Sequence, residues 1–179
     1  MKRSLALILG FASLLLAGCL PEEGVMNAGS APGVPRTGEA PGPPSAELPF
    51  GTVDQGIRSG IRDARQAVVR DPGTWGALWA EHVKGRVPEP PLPLVDFSRE
   101  MVLAYFLGEK PTSGYAVEIR EIALSAGRVL VHVAVTAPPP GAPVLQVLTQ
   151  PFHIVRAPRS ELPVEFIPVE ADPGPKRRG

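Results

Sequence analysis

The chain has 179 residues, with 18 basic and 18 acidic side chains that leave a formal net charge of zero. Such a balance excludes a general electrostatic attraction to nucleic acid, which needs a basic surface. One cysteine, Cys19, excludes an intramolecular disulfide, and 23 prolines and 19 glycines predict stretches that cannot build a core.

The N-terminus pairs Lys2 and Arg3 with an apolar stretch from Leu5 to Leu16. That stretch falls short of the roughly 20 residues a membrane span needs, and its length and flanks suit a secretory signal peptide over residues 1–18. The segment Leu16-Ala17-Gly18-Cys19 follows and resembles the lipobox of bacterial lipoproteins. The resemblance implies cleavage between Gly18 and Cys19 and a diacylglycerol group on the Cys19 thiol. Each buried acyl methylene contributes about 0.8 kcal/mol, so two or three chains hold stably. The expectation is a lipid anchor in the cell envelope, facing away from the cytoplasm, with no transmembrane helix in the mature form.

Residues 20–49 are rich in Pro, Gly, Ala and Glu and show no apolar periodicity, so residues 19–49 are expected to form a disordered tether. Residues 50–169 are long enough for one domain with one core. Residues 170–179 form a tail ending in Lys176-Arg177-Arg178, which a solvated chain end explains.

Within the domain, Ala67-Val68-Val69 reads as a strand. Asp71 is a good N-cap and Pro72 a good first helical residue, since its missing N–H would have no partner there. Trp75, Leu78, Trp79 and His82 recur at helical spacing, which predicts a helix over Pro72–Val83 stopping at Gly85. The tryptophan pair is read as a core stripe. After the prolines of 88–93, Met101–Leu107 is a short, continuous apolar run that suits a central strand buried on both faces.

Residues 115–124 alternate, with a slip of phase near Glu121 that a β-bulge explains. Ser125-Ala126-Gly127 predicts a tight turn. Val129, Val131, Val133 and Val135 mark the cleanest strand. Phe152–Val155 and Val164–Ile167 follow, their flanking prolines favouring sheet edges or strand ends. The fold class is α+β, mainly antiparallel β, with five to six strands and one short helix.

No nucleophile elbow, zinc-binding H-E-x-x-H, phosphate loop or dinucleotide fingerprint occurs. Lipidation would consume the only thiol. His132 and His153 sit on strands that could be neighbours, but no third ligand or carboxylate stands at useful spacing. Buried, hydrogen-bonded histidines are the simpler reading, and nothing in the sequence supplies Ser113 with a base. The chain is therefore read as no enzyme, with no catalytic residue, metal or cofactor.

If 101–107, 115–124, 129–136 and 152–156 form an antiparallel meander, the connections Gly108–Gly114 and Ala137–Pro151 emerge at one end. Prolines pre-order both loops, which lowers the entropy lost on binding, and Tyr115 is a typical anchor type. Pro111, Thr112, Ser113, Gly114, Tyr115, Pro139, Pro140 and Gly141 are the candidate partner-binding residues.

The order Val69-Arg70-Asp71-Pro72, Trp75, Leu78-Trp79, His82, then Pro93 to Phe97, Met101-Val102, Gly108, Pro111 to Tyr115, Pro139 to Gly141 and Thr149 to Val155 resembles the PrcB C-terminal domain family. These are lipoproteins named for a subunit of a surface protease complex, and the resemblance runs from Arg65 to Arg159. It implies an exported, non-catalytic accessory module that associates with a protease or another envelope protein, and it carries no site residues over. Pro111 to Tyr115 also resembles the Pro-Thr-Thr-Gly-Tyr loop of chagasin-type cysteine-protease inhibitors. Lys110 replaces the Asn of that pattern, and Gln150-Pro151-Phe152 stands where it has Arg-Pro-Trp. The expected function is a membrane-anchored, non-catalytic protein-binding module, an accessory subunit of a protease complex; a structural envelope lipoprotein or a loop-based inhibitor is the alternative.

Overall fold

The computed structural model describes residues 45–171. Gly18, Cys19, the signal segment, most of the expected tether and the basic tail lie outside them. The elements are β1 (Ala46–Glu47), β2 (Gly51–Gly56), β3 (Ala64–Val69), α1 (Pro72–Val83), β4 (Glu100–Leu107), β5 (Ala116–Ser125), β6 (Arg128–Thr136), β7 (Phe152–Pro158) and β8 (Val164–Glu170). Eight strands replace the expected five to six. The two extra ones, β1 and β2, carry almost no apolar alternation, and pairing with distant strands is what makes them strands.

The sheets run β1-β5-β6-β8 and β2-β7-β4-β3. They stack face to face, and α1 covers the outer face of the second. The three layers follow from β4. Val102, Ala104 and Phe106 join Trp75, Leu78, Trp79 and Val83 in the helix-side core. Their alternates Met101 and Leu103 join Val117, Ile119, Val131 and Val133 in the core between the sheets. The continuous apolar run is thus two alternating faces, both covered.

The expected meander is not formed. β4 pairs with β3 and β7, whereas β5 and β6 form a hairpin in the other sheet. With both its faces already in use, β4 needs a second sheet above it, and the β5–β6 hairpin supplies one. The last pairing, β6 with β8, is parallel. β8 is an edge strand and contains Pro168, which lacks a ladder donor. β7 is an interior strand, with Pro151 and Pro158 confined to its ends.

Local details match their residues. The Thr74 N–H donates to Asp71 Oδ1 at 2.8 Å, capping α1, and this bond holds the Asp71 carboxyl below its ordinary value. Register slips between Ile119 and Glu121, leaving Arg120 as the bulge. The turn places Ala126 at φ 48° and Gly127 at φ 73°, the two positive values of a two-residue hairpin loop. The domain also begins ahead of Phe50: β1 pairs with β5, the Leu48 N–H donates to the Ile122 carbonyl, and Leu48 packs on the core.

Candidate functional site

Two crossings between the sheets create the loop end. Phe106 is opposite Phe152 and Ala116 is opposite Thr136. Connections 108–115 and 137–151 therefore both span the same end of the sandwich. They emerge together as expected, although the topology that motivated the expectation is different.

The loops are fastened to each other. Lys110 and Thr149 exchange backbone hydrogen bonds of 2.7 and 3.0 Å. The Ser113 N–H donates to the Leu145 carbonyl, and the Leu145 N–H donates to Ser113 Oγ. Buried Thr149 donates its hydroxyl to the Thr112 carbonyl. Gly114, at φ 92°, lies against Pro138, where an added Cβ would crowd the ring at 3.0 Å. These bonds satisfy backbone groups that would otherwise be free to fluctuate, and they pre-order the surface.

Of the residues singled out in the sequence, Pro111, Gly114, Pro139, Pro140 and Gly141 are exposed, and Thr112, Ser113 and Tyr115 are half-buried. The Lys110 ammonium lies 5.9 Å from the Tyr115 ring centre, within cation–π range. The exposed large apolar side chains of the loop end sit instead on the flank of the second loop. Leu145 is 72 % exposed, Leu148 61 % and Val147 45 %. The Gln150 N–H donates to the Ile57 carbonyl, which brings half-exposed Ile57 beside that loop. A stretch of four apolar residues broken by Gln146, 144–148, with no strand formed is the signal in the sequence for this patch. Ile57 gives none.

Below it lies an open groove of about 700 Å³, between residues 54–59, 84–88 and 148–152. Its floor is a partly buried network. His82, wholly buried on the last turn of α1, has Nδ1 2.9 Å from Ser59 Oγ and Nε2 3.0 Å from Asp54 Oδ2. Arg86 donates to Asp54 Oδ2 at 2.8 Å and to the Arg58 carbonyl at 2.6 Å, with its guanidinium over Phe152. Burial raises the Asp54 pKa, but the bonds from His82 and Arg86 and their charges outweigh this and hold it below the ordinary value.

Ser, His and Asp in a row bring nucleophilic catalysis to mind. Here the ring is sealed from solvent, Ser59 Oγ also accepts the Ile61 N–H, and Asp54 is already shared with Arg86. Chemically the network clamps the helix end to β2. The Gly60 N–H completes the clamp by donating to the His82 carbonyl.

The other two histidines lie in different sheets. His132 is on the β6 face alternate to Val131 and Val133, whereas His153 points into the core between the sheets. The Ile119 N–H donates to His153 Nδ1 at 2.8 Å, so Nε2 carries the proton and donates to Thr52 Oγ1 at 2.9 Å. Burial lowers the His153 pKa, against a smaller raising effect of Glu118. His153 and Gln55, which donates to the Val117 carbonyl, together occupy the β5 edge that short β1 leaves uncovered. No group of three or more His, Cys, Asp or Glu among the described residues is placed to hold a metal. No helix among them is long and apolar enough to cross a membrane.

Fold and site together define a helix-covered β-sandwich with one ordered, partly apolar loop end. Residues 101–158, from β4 through β7 and including both loops, match the family model described as PrcB C-terminal. β3 and α1, which share in the sequence resemblance, lie upstream of the match. No curated protein and no solved structure matches the chain.

Proposed function

We propose that this chain is an envelope lipoprotein, anchored through Cys19, whose folded domain is a non-catalytic protein-binding module serving as accessory subunit of a protease complex. The observation that carries the binding role is the loop end. Two crossing loops are locked together by backbone bonds and display Leu145, Val147 and Leu148. A domain that only spaces or scaffolds the envelope has no need of a concentrated apolar patch on a rigid loop. The family of residues 101–158 supports the protease setting. Two loops projecting from one end of a sandwich also suit a loop-based inhibitor, which is the second reading.

The test is capture of envelope proteins by the full chain, followed by purification of a recurrent partner and titration against it. Tyr115→Ala should weaken that binding about tenfold, the effect of losing one aromatic anchor, without changing thermal unfolding. Unchanged affinity would remove Tyr115 from the surface, and loss of folding would make it a core residue. Recovery of scaffold proteins alone would put the structural role first. Inhibition of the partner's peptidase activity would favour the inhibitor over the accessory subunit.

A further inference from the structure

The groove below the loop end has a composition that states what it would accept. Arg58, Lys84 and Arg86 line it, and Asp54 is its single carboxylate. Asp54 is already neutralised by Arg86 at 2.8 Å. Arg58 and Lys84, both exposed, make no ion pair with another of the described residues and add two positive charges to its lining. Around them stand Ile57, Val87 and Leu148, exposed by 47 %, 96 % and 61 %. The walls are held in place: Arg86 is fastened to the Arg58 carbonyl, and the Gln150 N–H to the Ile57 carbonyl. Leu148 belongs to both the groove and the loop patch, so the two form one continuous surface.

A surface with apolar side chains beside unpaired cations is complementary to a peptide that places carboxylates next to apolar residues. Charge complementarity of this kind selects the partner and its register, while the apolar contacts supply affinity. We infer that the groove takes an acidic, apolar segment of the partner protein, with its carboxylates on Arg58 and Lys84 and an apolar side chain between Ile57, Val87 and Leu148. This rests on the protein-binding reading and names the chemistry of the partner.

The probe is a fluorescein-labelled nonapeptide alternating Leu with Glu, titrated into the full chain and read by anisotropy. Its counterpart with Lys in place of Glu is the control. Expected are saturable binding of the acidic peptide, weakening as salt rises, and no binding of the basic one. Arg58→Glu with Lys84→Glu should lower the affinity at least about tenfold. Leu148→Ser should also lower it, while Leu94→Ser, exposed but outside the groove, leaves it unchanged. All four side chains are exposed, and an unaltered melting curve confirms folding. Equal binding of both peptides, or indifference to the charge reversals, overturns the inference.

Two other occupants have their own outcomes. A rise in peptide affinity on Glu22→Lys with Glu23→Lys would assign the groove to the chain's own acidic segment. A concentration-dependent dimer that is lost on the charge reversals would assign it to a second copy. Either result overturns the partner assignment. An envelope partner whose binding ignores the groove variants but falls with Tyr115→Ala would refute the groove and leave the binding module standing.

Discussion

Replacing His153 by Leu removes the acceptor for the Ile119 N–H, 2.8 Å away and buried between the sheets, and the donor to Thr52. A buried donor left without a partner costs about 1–3 kcal/mol. The apolar replacement recovers part of this by packing against Val117 and Val155, so a net loss of about 1–2 kcal/mol is expected. Asn at this position keeps an acceptor near Nδ1 and should lose less.

The pH dependence gives a second signature. Burial lowers the folded pKa of His153 below its ordinary 6.5, so the unfolded chain binds the proton more readily than the folded one. The stability this group contributes is full above 6.5 and is lost as pH falls from there through the folded pKa. Its slope is at most about 1.4 kcal/mol per pH unit for one proton. Urea unfolding between pH 7.5 and 5 measures both effects. Wild-type stability should fall across that range, while His153→Leu and His153→Asn should start lower and lose this slope. An unchanged slope in both variants would refute the assignment of a neutral, acceptor Nδ1.

Asp54→Asn should cost about 1–3 kcal/mol in urea unfolding, because it weakens the bonds from His82 and Arg86 at the foot of the groove. Gly60→Ala puts a Cβ onto the Glu81 carbonyl oxygen, and overpacking of this kind costs about 1–3 kcal/mol, read as a lowered melting temperature. Asp71→Ala should also lower the melting temperature, by removing the acceptor of the Thr74 N–H. The stability that Asp71 contributes is present above its ordinary value of 3.8 and is lost as pH falls through its lowered folded value, so Asp71→Ala should flatten the acid limb of a melting profile.

The helix was legible to the residue because its signals are local: a capping Asp, a proline at the first turn, and four core residues at helical spacing. The hairpin and its bulge were legible for the same reason, since a phase slip and an Ala-Gly turn lie within a few residues. Sheet membership was not. Nothing in the run 101–107 tells β5 from β7 as its neighbour, and that choice depends on α1 having claimed one face of β4. The loop end was found through its prolines, although its apolar patch sits on residues 145–148. The groove was invisible, because Ile57, Arg58, Lys84 and Val87 come from two separate turns that only the clamp around His82 brings together.

The short strand β1 fixes the end at which the chain enters the sandwich. Ala46 is opposite Leu124, near the turn of the β5–β6 hairpin, whereas the crossing loops leave from the Ala116 end of β5. The chain thus enters the sandwich at the end opposite the loops, one full strand away, about 30 Å for a strand of this length. If the domain is held from its N-terminal side, as the proposed anchor at Cys19 would hold it, the loops lie at the end away from that attachment. Pulling on whatever those loops grip would load β1 and β5 in shear, along the strands, and only two paired residues and the Leu48 N–H bond to Ile122 join them to share the force.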